Sequence, residues 1–117
     1  MSKTQKRIDF LFMMARLLQF ASDECIDVIC ASFHRTAEEQ KALFDKGLSR
    51  CDGITKRSRH QDWLAMDLYV IKDDKVAAER IQDYEKLGMR WEDIGGVWGG
   101  RFESLNDIFH FELGEPA

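Results

Sequence analysis

The pattern of hydrophobic and polar positions predicts a helix followed by a strand at the start of the chain. Residues 4–22 carry apolar side chains at helical spacing, and their broad apolar face predicts a mostly buried helix. That face contains Ile8, Leu11, Phe12 and Leu18. Residues 26–33 are apolar and rich in β-branched side chains, which predicts a strand.

A second helix is predicted to begin after Thr36. The residues TAEE form a capping-box pattern, in which the Thr36 hydroxyl and the Glu39 carboxylate each accept a hydrogen bond from a free backbone N–H group. Gly47 stands where such a helix ends. The polar residues 48–59 have no period and predict a loop.

Two later segments alternate with period two, as half-buried strands do. In residues 64–71, Ala65, Asp67 and Tyr69 share one face, and in residues 109–113 His110 and Glu112 share one face. Between these strands, residues 73–75 predict a turn and residues 77–87 a third helix that ends at Gly88. The order α, β, α, β, α, β predicts an α+β fold, with a small antiparallel sheet and flanking helices.

Length and charge narrow the class of protein. The 117 residues suit one domain over 1–117. A net charge of -4 argues against a binder of nucleic acid or of anionic membranes, which would carry a basic excess. The basic stretch KRSRH at 56–60 is the local exception, and it is either a solvated loop or a surface that attracts an anionic substrate.

Cysteines and the N-terminal segment bear on the compartment. The three cysteines lack CxxC spacing and predict reduced thiols, two of them in the core. Arg16 and Gln19 interrupt the N-terminal apolar run, so we expect neither a secretion signal nor stable membrane insertion. These features predict synthesis in the cytoplasm.

Two of the three histidines lie near acidic residues in segments predicted to be ordered. His60 precedes the strand of Asp67, and His110 lies on another strand, so a sheet could bring the three side chains to one concave face. Catalytic zinc takes three such ligands, and a base beside the water is also needed, for which Asp107 is a candidate. The spacing alone leaves open that these are ordinary surface residues.

Three segments resemble, in the same order, the superfamily of zinc D,D-carboxypeptidases, D-alanyl-D-alanine dipeptidases and L-alanyl-D-glutamate endopeptidases. SRHQDWLAMD (58–67) is similar to its SxHxxGxAxD signature, and SFHRTAEEQKALFDKG (32–47) to its SGYRxxxxQxxLxxxG element. WGGRFESLNDIFHFEL (98–113) resembles the closing motif of the phage endolysin branch.

The resemblance implies a role for each matching residue. His60, Asp67 and His110 would bind Zn²⁺, and Asp107 would be the general base. Arg35 would stabilise the oxyanion, while Ser58 and Gln40 would support the bound substrate. Four positions depart from the family pattern: Trp63 replaces glycine, Phe102 tryptophan, Phe109 proline, and His34 the usual aromatic residue.

The function implied by the resemblance is hydrolysis of a peptide bond in the stem peptide of peptidoglycan. The closing motif favours L-alanyl-D-glutamate endopeptidase activity. The alternatives are a D-alanyl-D-alanine carboxypeptidase and a catalytically inactive zinc-containing module that binds the wall. Without a secretion signal, a monomer of this kind would reach the wall after synthesis with the help of a holin-type release factor.

Overall fold

The computed structural model describes residues 1–103 and 106–114, which form helices around a small antiparallel sheet. The predicted α+β class is therefore confirmed. The helices are α1 (Lys3–Asp23), α2 (Ala37–Asp45) and α3 (Ile81–Asp93). The strands are β1 (Val28–Ser32), β2 (Ala65–Lys72), β3 (Lys75–Val76), β4 (Gly96–Trp98) and β5 (His110–Leu113).

The sheet has the order β1-β2-β5-β4, and all its neighbouring strands are antiparallel. Strand β3 pairs with the C-terminal end of β2 through a tight turn at Asp73 and Asp74, both of which have positive φ. The turn predicted at 73–75 is confirmed. Strand β5 lies between β2 and β4, so the last described strand occupies the interior of the sheet.

The prediction for α1 is correct in its extent and wrong in its buried face. Its core side is the narrow stripe Phe10, Met14, Leu17 and Ala21. The four side chains assigned to the buried face are all exposed, from 40% for Leu18 to 66% for Phe12. The apolar surface of α1 is wider than the stripe that contacts the core. The helical spacing of apolar residues alone therefore did not show which part of this surface is buried.

Helix α2 follows its prediction. Thr36 and Glu39 form the reciprocal capping box, and Gly47 adopts a positive φ of 74° just after the helix end. A glycine is favoured there because a left-handed backbone conformation is costly for other residues.

The predicted bounds of the third helix are wrong. Helix α3 begins at Ile81 and continues through Gly88 to Asp93. Gly88 does not stop the helix. A Cβ atom at this position would overlap the Trp98 ring, so the glycine permits the close packing of α3 against β4.

The core lies between the sheet, α1 and α3, and it contains the buried rings of Trp91, Trp98, Tyr84 and Phe111. The predicted core position of two cysteines is wrong, since Cys25 and Cys30 are exposed and Cys51 is half-buried. No helix among the described residues is both long and apolar enough to cross a bilayer.

Candidate metal centre and active-site cleft

The three predicted ligands meet at one point of the sheet. His60 Nε2 and His110 Nδ1 each lie 3.2 Å from Asp67 Oδ1. The three donor atoms all lie within 4.8 Å of one another, at a place where their side chains are almost wholly buried. Two imidazole nitrogens and one carboxylate oxygen form a donor set that zinc takes in catalytic sites.

Strand register brings two of these ligands together. Asp67 on β2 is the direct pairing partner of His110 on β5, and both side chains point to the same face of the sheet. The opposite face of the same strands is apolar and packs into the core, with Leu68 and Phe111 nearly inaccessible to solvent. A shift by one residue would exchange these faces, so burial of the apolar side fixes the ligand geometry.

The third ligand, His60, comes from a short 3₁₀ turn at Arg59–Asp62. Ser58 caps this turn, and its hydroxyl accepts from the His60 N–H while Gln61 Oε1 accepts from the Ser58 N–H at 2.9 Å. The buried Gln61 amide also donates to the carbonyl of Gly53 at 3.0 Å. His60 is therefore held by buried polar side chains rather than by a strand.

Each histidine has its second ring nitrogen bound to an acceptor. His60 Nδ1 donates to the Phe33 carbonyl at 2.7 Å, and His110 Nε2 donates to Glu112 Oε1 at 2.8 Å. With a metal bound, these bonds would leave His60 Nε2 and His110 Nδ1 without a proton and free to coordinate it. Acceptors of this kind commonly orient metal-binding histidines, so the surroundings of the site fit a metal as well as its donor atoms do.

The charges of the cluster suit a bound cation. Burial alone would lower the pKa of His110, but its hydrogen bonds to Asp67 and Glu112 raise it to about 9. Burial alone would raise the pKa of Asp67, yet the hydrogen bonds from His110 and His60 hold it well below its usual range. Without a metal, the carboxylates therefore retain a proton on His110 at neutral pH, in the place where a metal cation would supply the positive charge.

Arg35 lies beside the ligand carboxylate. Its Nη2 is 3.0 Å from Asp67 Oδ2, and its Nη1 donates to Gln40 Oε1 at 3.2 Å. Gln40 is completely buried, and its amide nitrogen donates to Ser49 Oγ and to the Cys51 carbonyl at 2.7 and 2.9 Å. The glutamine thus connects the arginine to the loop that follows α2.

Asp107 lies in the same cleft, just before β5. One carboxylate oxygen accepts from the Phe109 N–H at 3.1 Å, and the described residues offer the other oxygen no partner. Burial and the negative charge of Asp67 raise its pKa. Gly99 permits this arrangement, because a Cβ at that position would collide with the Asp107 carbonyl.

These side chains open into one cleft of about 780 Å³. Arg35, Ser58, His60, Asp107 and His110 all line it. Gln40 does not line it and lies beneath Arg35. A cluster that could hold a metal ion, a second carboxylate and an arginine are the groups that metal-assisted hydrolysis of a peptide bond uses.

Trp63 lies outside the cleft lining. It ends the 3₁₀ turn in a left-handed conformation, with a φ of 64° that glycine would adopt without strain. Its ring stacks on His34 with centroids 3.9 Å apart and contacts Phe33 edge to face. His34 and Trp63, two of the departures from the family pattern, therefore contact each other. Their contact packs the segment after β1 against the turn that carries His60.

Sequence reasoning missed Gln61 and Arg59. Gln61 supports the 3₁₀ turn, and Arg59 lies 3.3 Å from Glu112 Oε2 and donates to the Leu113 carbonyl. The signal for Gln61 was available, because Ser-x-x-Gln at 58–61 is itself a capping-box pattern. No local pattern indicated the contact of Arg59 with a strand 53 residues away.

The sequence model of a D-alanyl-D-alanine carboxypeptidase family matches residues 52–113. This range contains the three candidate ligands and Asp107. No curated protein sequence matches the chain significantly.

Several solved structures share the fold. An L-Ala-D-Glu endopeptidase from Serratia marcescens superposes with a TM-score of 0.73 at 21% identity, over 90% of this chain and 77% of that one. A vancomycin-resistance D,D-pentapeptidase in complex with Zn(II) gives a TM-score of 0.67 at 17% identity, over 91% of this chain and 71% of that one. An LD-carboxypeptidase gives a TM-score of 0.64 at 19% identity, over 90% of this chain and 63% of that one. At these identities the likeness establishes the fold.

Proposed function

This chain belongs to the D-alanyl-D-alanine carboxypeptidase family, and on that basis we propose that it is a zinc-dependent peptidase of peptidoglycan stem peptides. We favour the L-alanyl-D-glutamate bond as its target. The observation that carries the proposal is the meeting of His60, Asp67 and His110 at one point, where the two histidines line the cleft that also contains Asp107 and Arg35.

The proposed division of labour follows from the contacts of each residue. His60 Nε2, Asp67 Oδ1 and His110 Nδ1 would hold the zinc ion. When bound, zinc polarises the scissile carbonyl and lowers the pKa of water. Once the proton of His110 has been released on zinc binding, the hydrogen bonds to the Phe33 carbonyl and to Glu112 would favour the tautomers that leave those nitrogens for the metal.

Asp107 would act as the general base. It would take a proton from the attacking water and later deliver it to the departing amine. The upward shift of its pKa brings the carboxylate closer to the working pH, which makes it a stronger base than an exposed aspartate. The carboxylate oxygen that accepts no hydrogen bond from the described residues gives the proton a place to bind.

Arg35 would stabilise the negative charge that develops on the carbonyl oxygen. Its hydrogen bonds to Asp67 and Gln40 fix the guanidinium before the substrate arrives. A preorganised positive charge of this kind contributes about 3 kcal/mol to transition-state stabilisation. Ser58 and Gln40 support the site from below, by capping the His60 turn and by holding Arg35.

A D-alanyl-D-alanine carboxypeptidase is the second candidate, and the description of the matching family favours it. The closing segment 98–113 favours the endopeptidase, because it resembles the endolysin branch. The two activities differ in their products and can be separated by one experiment.

That experiment is mass spectrometry of purified peptidoglycan after incubation with the zinc-loaded protein, with and without a chelator. Chelator-sensitive release of peptides that begin with D-glutamate supports the endopeptidase. Release of terminal D-alanine alone supports the carboxypeptidase. His60→Ala removes a proposed ligand and should abolish the chelator-sensitive activity. His34→Ala is its matched control, because it changes a histidine outside the cluster and should retain the metal. Absence of any product, with zinc bound, contradicts the enzymatic proposal and leaves a zinc-containing module that binds the wall.

A further inference from the structure

The cleft is far more basic than the protein as a whole. The chain carries a net charge of -4, yet six cationic side chains line the cleft. They are Arg35, Arg50, Lys56, Arg57, Arg59 and Arg101. The acidic residues of the same lining are Glu103, Asp107 and Glu112. A cleft with this concentration of positive charge favours an anionic ligand.

Most of these cations are already bonded to acids. Arg35 is paired with Asp67, Arg57 with Asp62 at 2.8 Å, Arg59 with Glu112, and Arg101 with Glu92. Within residues 1–103 and 106–114, Arg50 and Lys56 have no such partner, and both are exposed. Their charges therefore remain available to a ligand.

The loop that carries Arg50 and Lys56 is fixed by buried and local hydrogen bonds. Its Ser49 and Cys51, on either side of Arg50, are both held by the buried Gln40 amide. The Asp52 carboxylate accepts from the Lys56 N–H at 2.9 Å and also from the backbone of residues 54 and 55.

Gly53 closes the turn of this loop. Its N–H donates to the Lys56 carbonyl at 3.1 Å, and its own carbonyl accepts from Gln61. The backbone that presents the two cations is thus ordered before any ligand binds, which reduces the entropy lost on binding.

Resting on the proposed function, we propose that Arg50 and Lys56 form a carboxylate-binding subsite that selects substrates with a free carboxylate near the scissile bond. A D-glutamyl residue has two carboxyl groups, of which one continues the peptide and the other stays free or is amidated. A peptide that ends in D-alanine offers a terminal carboxylate instead. Both sources share the same chemistry, and Gln40 joins the subsite to Arg35 at the metal centre.

The test uses the zinc-loaded protein and synthetic peptides that differ in one group. The first pair is L-alanyl-γ-D-glutamyl-L-lysine amide with the α-carboxyl group of D-glutamate free or amidated. The second pair is a peptide ending in D-alanyl-D-alanine with its terminus free or amidated. Steady-state kinetics gives kcat and KM for each peptide. The pair that shows a preference identifies which carboxylate is bound.

The variant is Arg50→Gln/Lys56→Gln, and Lys72→Gln/Lys86→Gln removes the same charge from exposed positions outside the cleft lining. We expect the parent protein to bind the carboxylate peptide with a KM about tenfold lower, since partly exposed charge contacts are individually weak. The preference should disappear in Arg50→Gln/Lys56→Gln with kcat nearly unchanged, and it should persist in the control and in Arg50→Lys/Lys56→Arg. A preference that survives in Arg50→Gln/Lys56→Gln overturns the proposal, as does a parent protein without one.

Failure of the proposed function gives a different result. If the parent protein cleaves none of the four peptides, the peptidase proposal fails. Titration calorimetry with the same peptides then decides the subsite by itself. Tighter binding of a carboxylate peptide that is lost only in Arg50→Gln/Lys56→Gln supports it. Equal affinity for the carboxylate and amide forms, or no binding of either, overturns it.

Discussion

The two halves of the candidate site are built in different ways. In the sheet half, Asp67 and His110 are held by paired backbones, and their register follows from the burial of the opposite face. In the loop half, His60 and Arg35 are positioned by buried polar side chains, chiefly Gln61 and Gln40. One half depends on repeated backbone bonds and the other on a few single side chains.

This difference predicts where the site is fragile. When one side-chain contact of a strand is lost, many neighbouring backbone hydrogen bonds remain. Single substitutions on the polar face of the sheet half should therefore cost the fold little stability. In the loop half, one amide satisfies two or three buried groups, and its removal leaves them all without a partner.

The largest effect is expected for Asp107→Asn, which tests whether the halves meet at a reacting centre. The substitution keeps the shape of the side chain and removes its capacity to accept a proton. We expect kcat/KM on a stem peptide to fall about 1,000-fold, with the bound metal retained. Metal analysis by mass spectrometry provides the control. Parental activity in this variant would remove Asp107 from the proposed mechanism.

The next effect is expected for Gln61→Ala in the loop half. It leaves the Gly53 carbonyl and the Ser58 N–H without their buried partner, which should lower the free energy of unfolding by about 2–3 kcal/mol. Chemical denaturation measures the loss. Gln19→Ala, which removes only an exposed bond to Asp23 on α1, should cost less than about 0.5 kcal/mol. Equal effects of the two variants would contradict the proposed fragility of the loop half.

The sheet half gives a pH-dependent prediction for the metal-free protein. The pKa of His110 lies at about 9 when folded, above its value of 6.5 in the unfolded chain. Its contribution to stability is therefore fully present below pH 6.5 and is lost as the pH rises through 9. Denaturation curves of the metal-free protein should show the free energy of unfolding decreasing as the pH rises from 6.5 to 9.

The same proton competes with the metal. A ligand nitrogen must be unprotonated, so metal binding below pH 9 should release a proton from His110. Affinity for zinc should rise by up to about tenfold per pH unit and level off near pH 9. Calorimetry in buffers of different ionisation enthalpy counts the released protons. A proton count of zero at pH 7 would show that His110 is already neutral.

The smallest net change is expected for Trp63→Gly. Glycine removes the cost of the left-handed backbone but also the stacking on His34, and the two effects oppose each other at about 1 kcal/mol each. Trp63→Ala loses the stacking and keeps the backbone cost, so it should be less stable than Trp63→Gly by about 1 kcal/mol. Thermal unfolding of the pair measures this difference. Equal stability of the two variants would show that the left-handed backbone at position 63 does not favour glycine over alanine.

Much of the sheet half could be predicted from the sequence. Alternation in residues 64–71 and 109–113 identified the faces of Asp67, His110 and Glu112, because a strand has a period of two wherever one face is buried. The α+β class followed from the order of elements. Motif resemblance added the ligand set, which spacing alone had left open.

The remaining features depend on contacts that sequence periodicity does not report. Strand β4 is only three residues long, and its pattern was too short to identify. Gly88 looked like a helix stop because its partner, Trp98, is distant in sequence. The exposed side of α1 is as apolar as its buried side, so only the packing distinguishes them. The basic stretch 56–60 already indicated Lys56, whereas the pairing of the neighbouring Arg59 with an acid of β5 depends on a contact between distant segments.

The interior position of β5 also has a consequence for the order of folding. The strands on either side of it, β2 and β4, precede it in the chain, and they cannot form one continuous sheet until it pairs with both. Contacts that join distant segments form late, because the entropy of closing long loops must first be overcome. The emerging polypeptide therefore cannot assemble the three-ligand centre during synthesis until residue 110 has left the ribosome. Because His110 is the last of the three proposed ligands in the chain, the complete site is not available to a metal before that point.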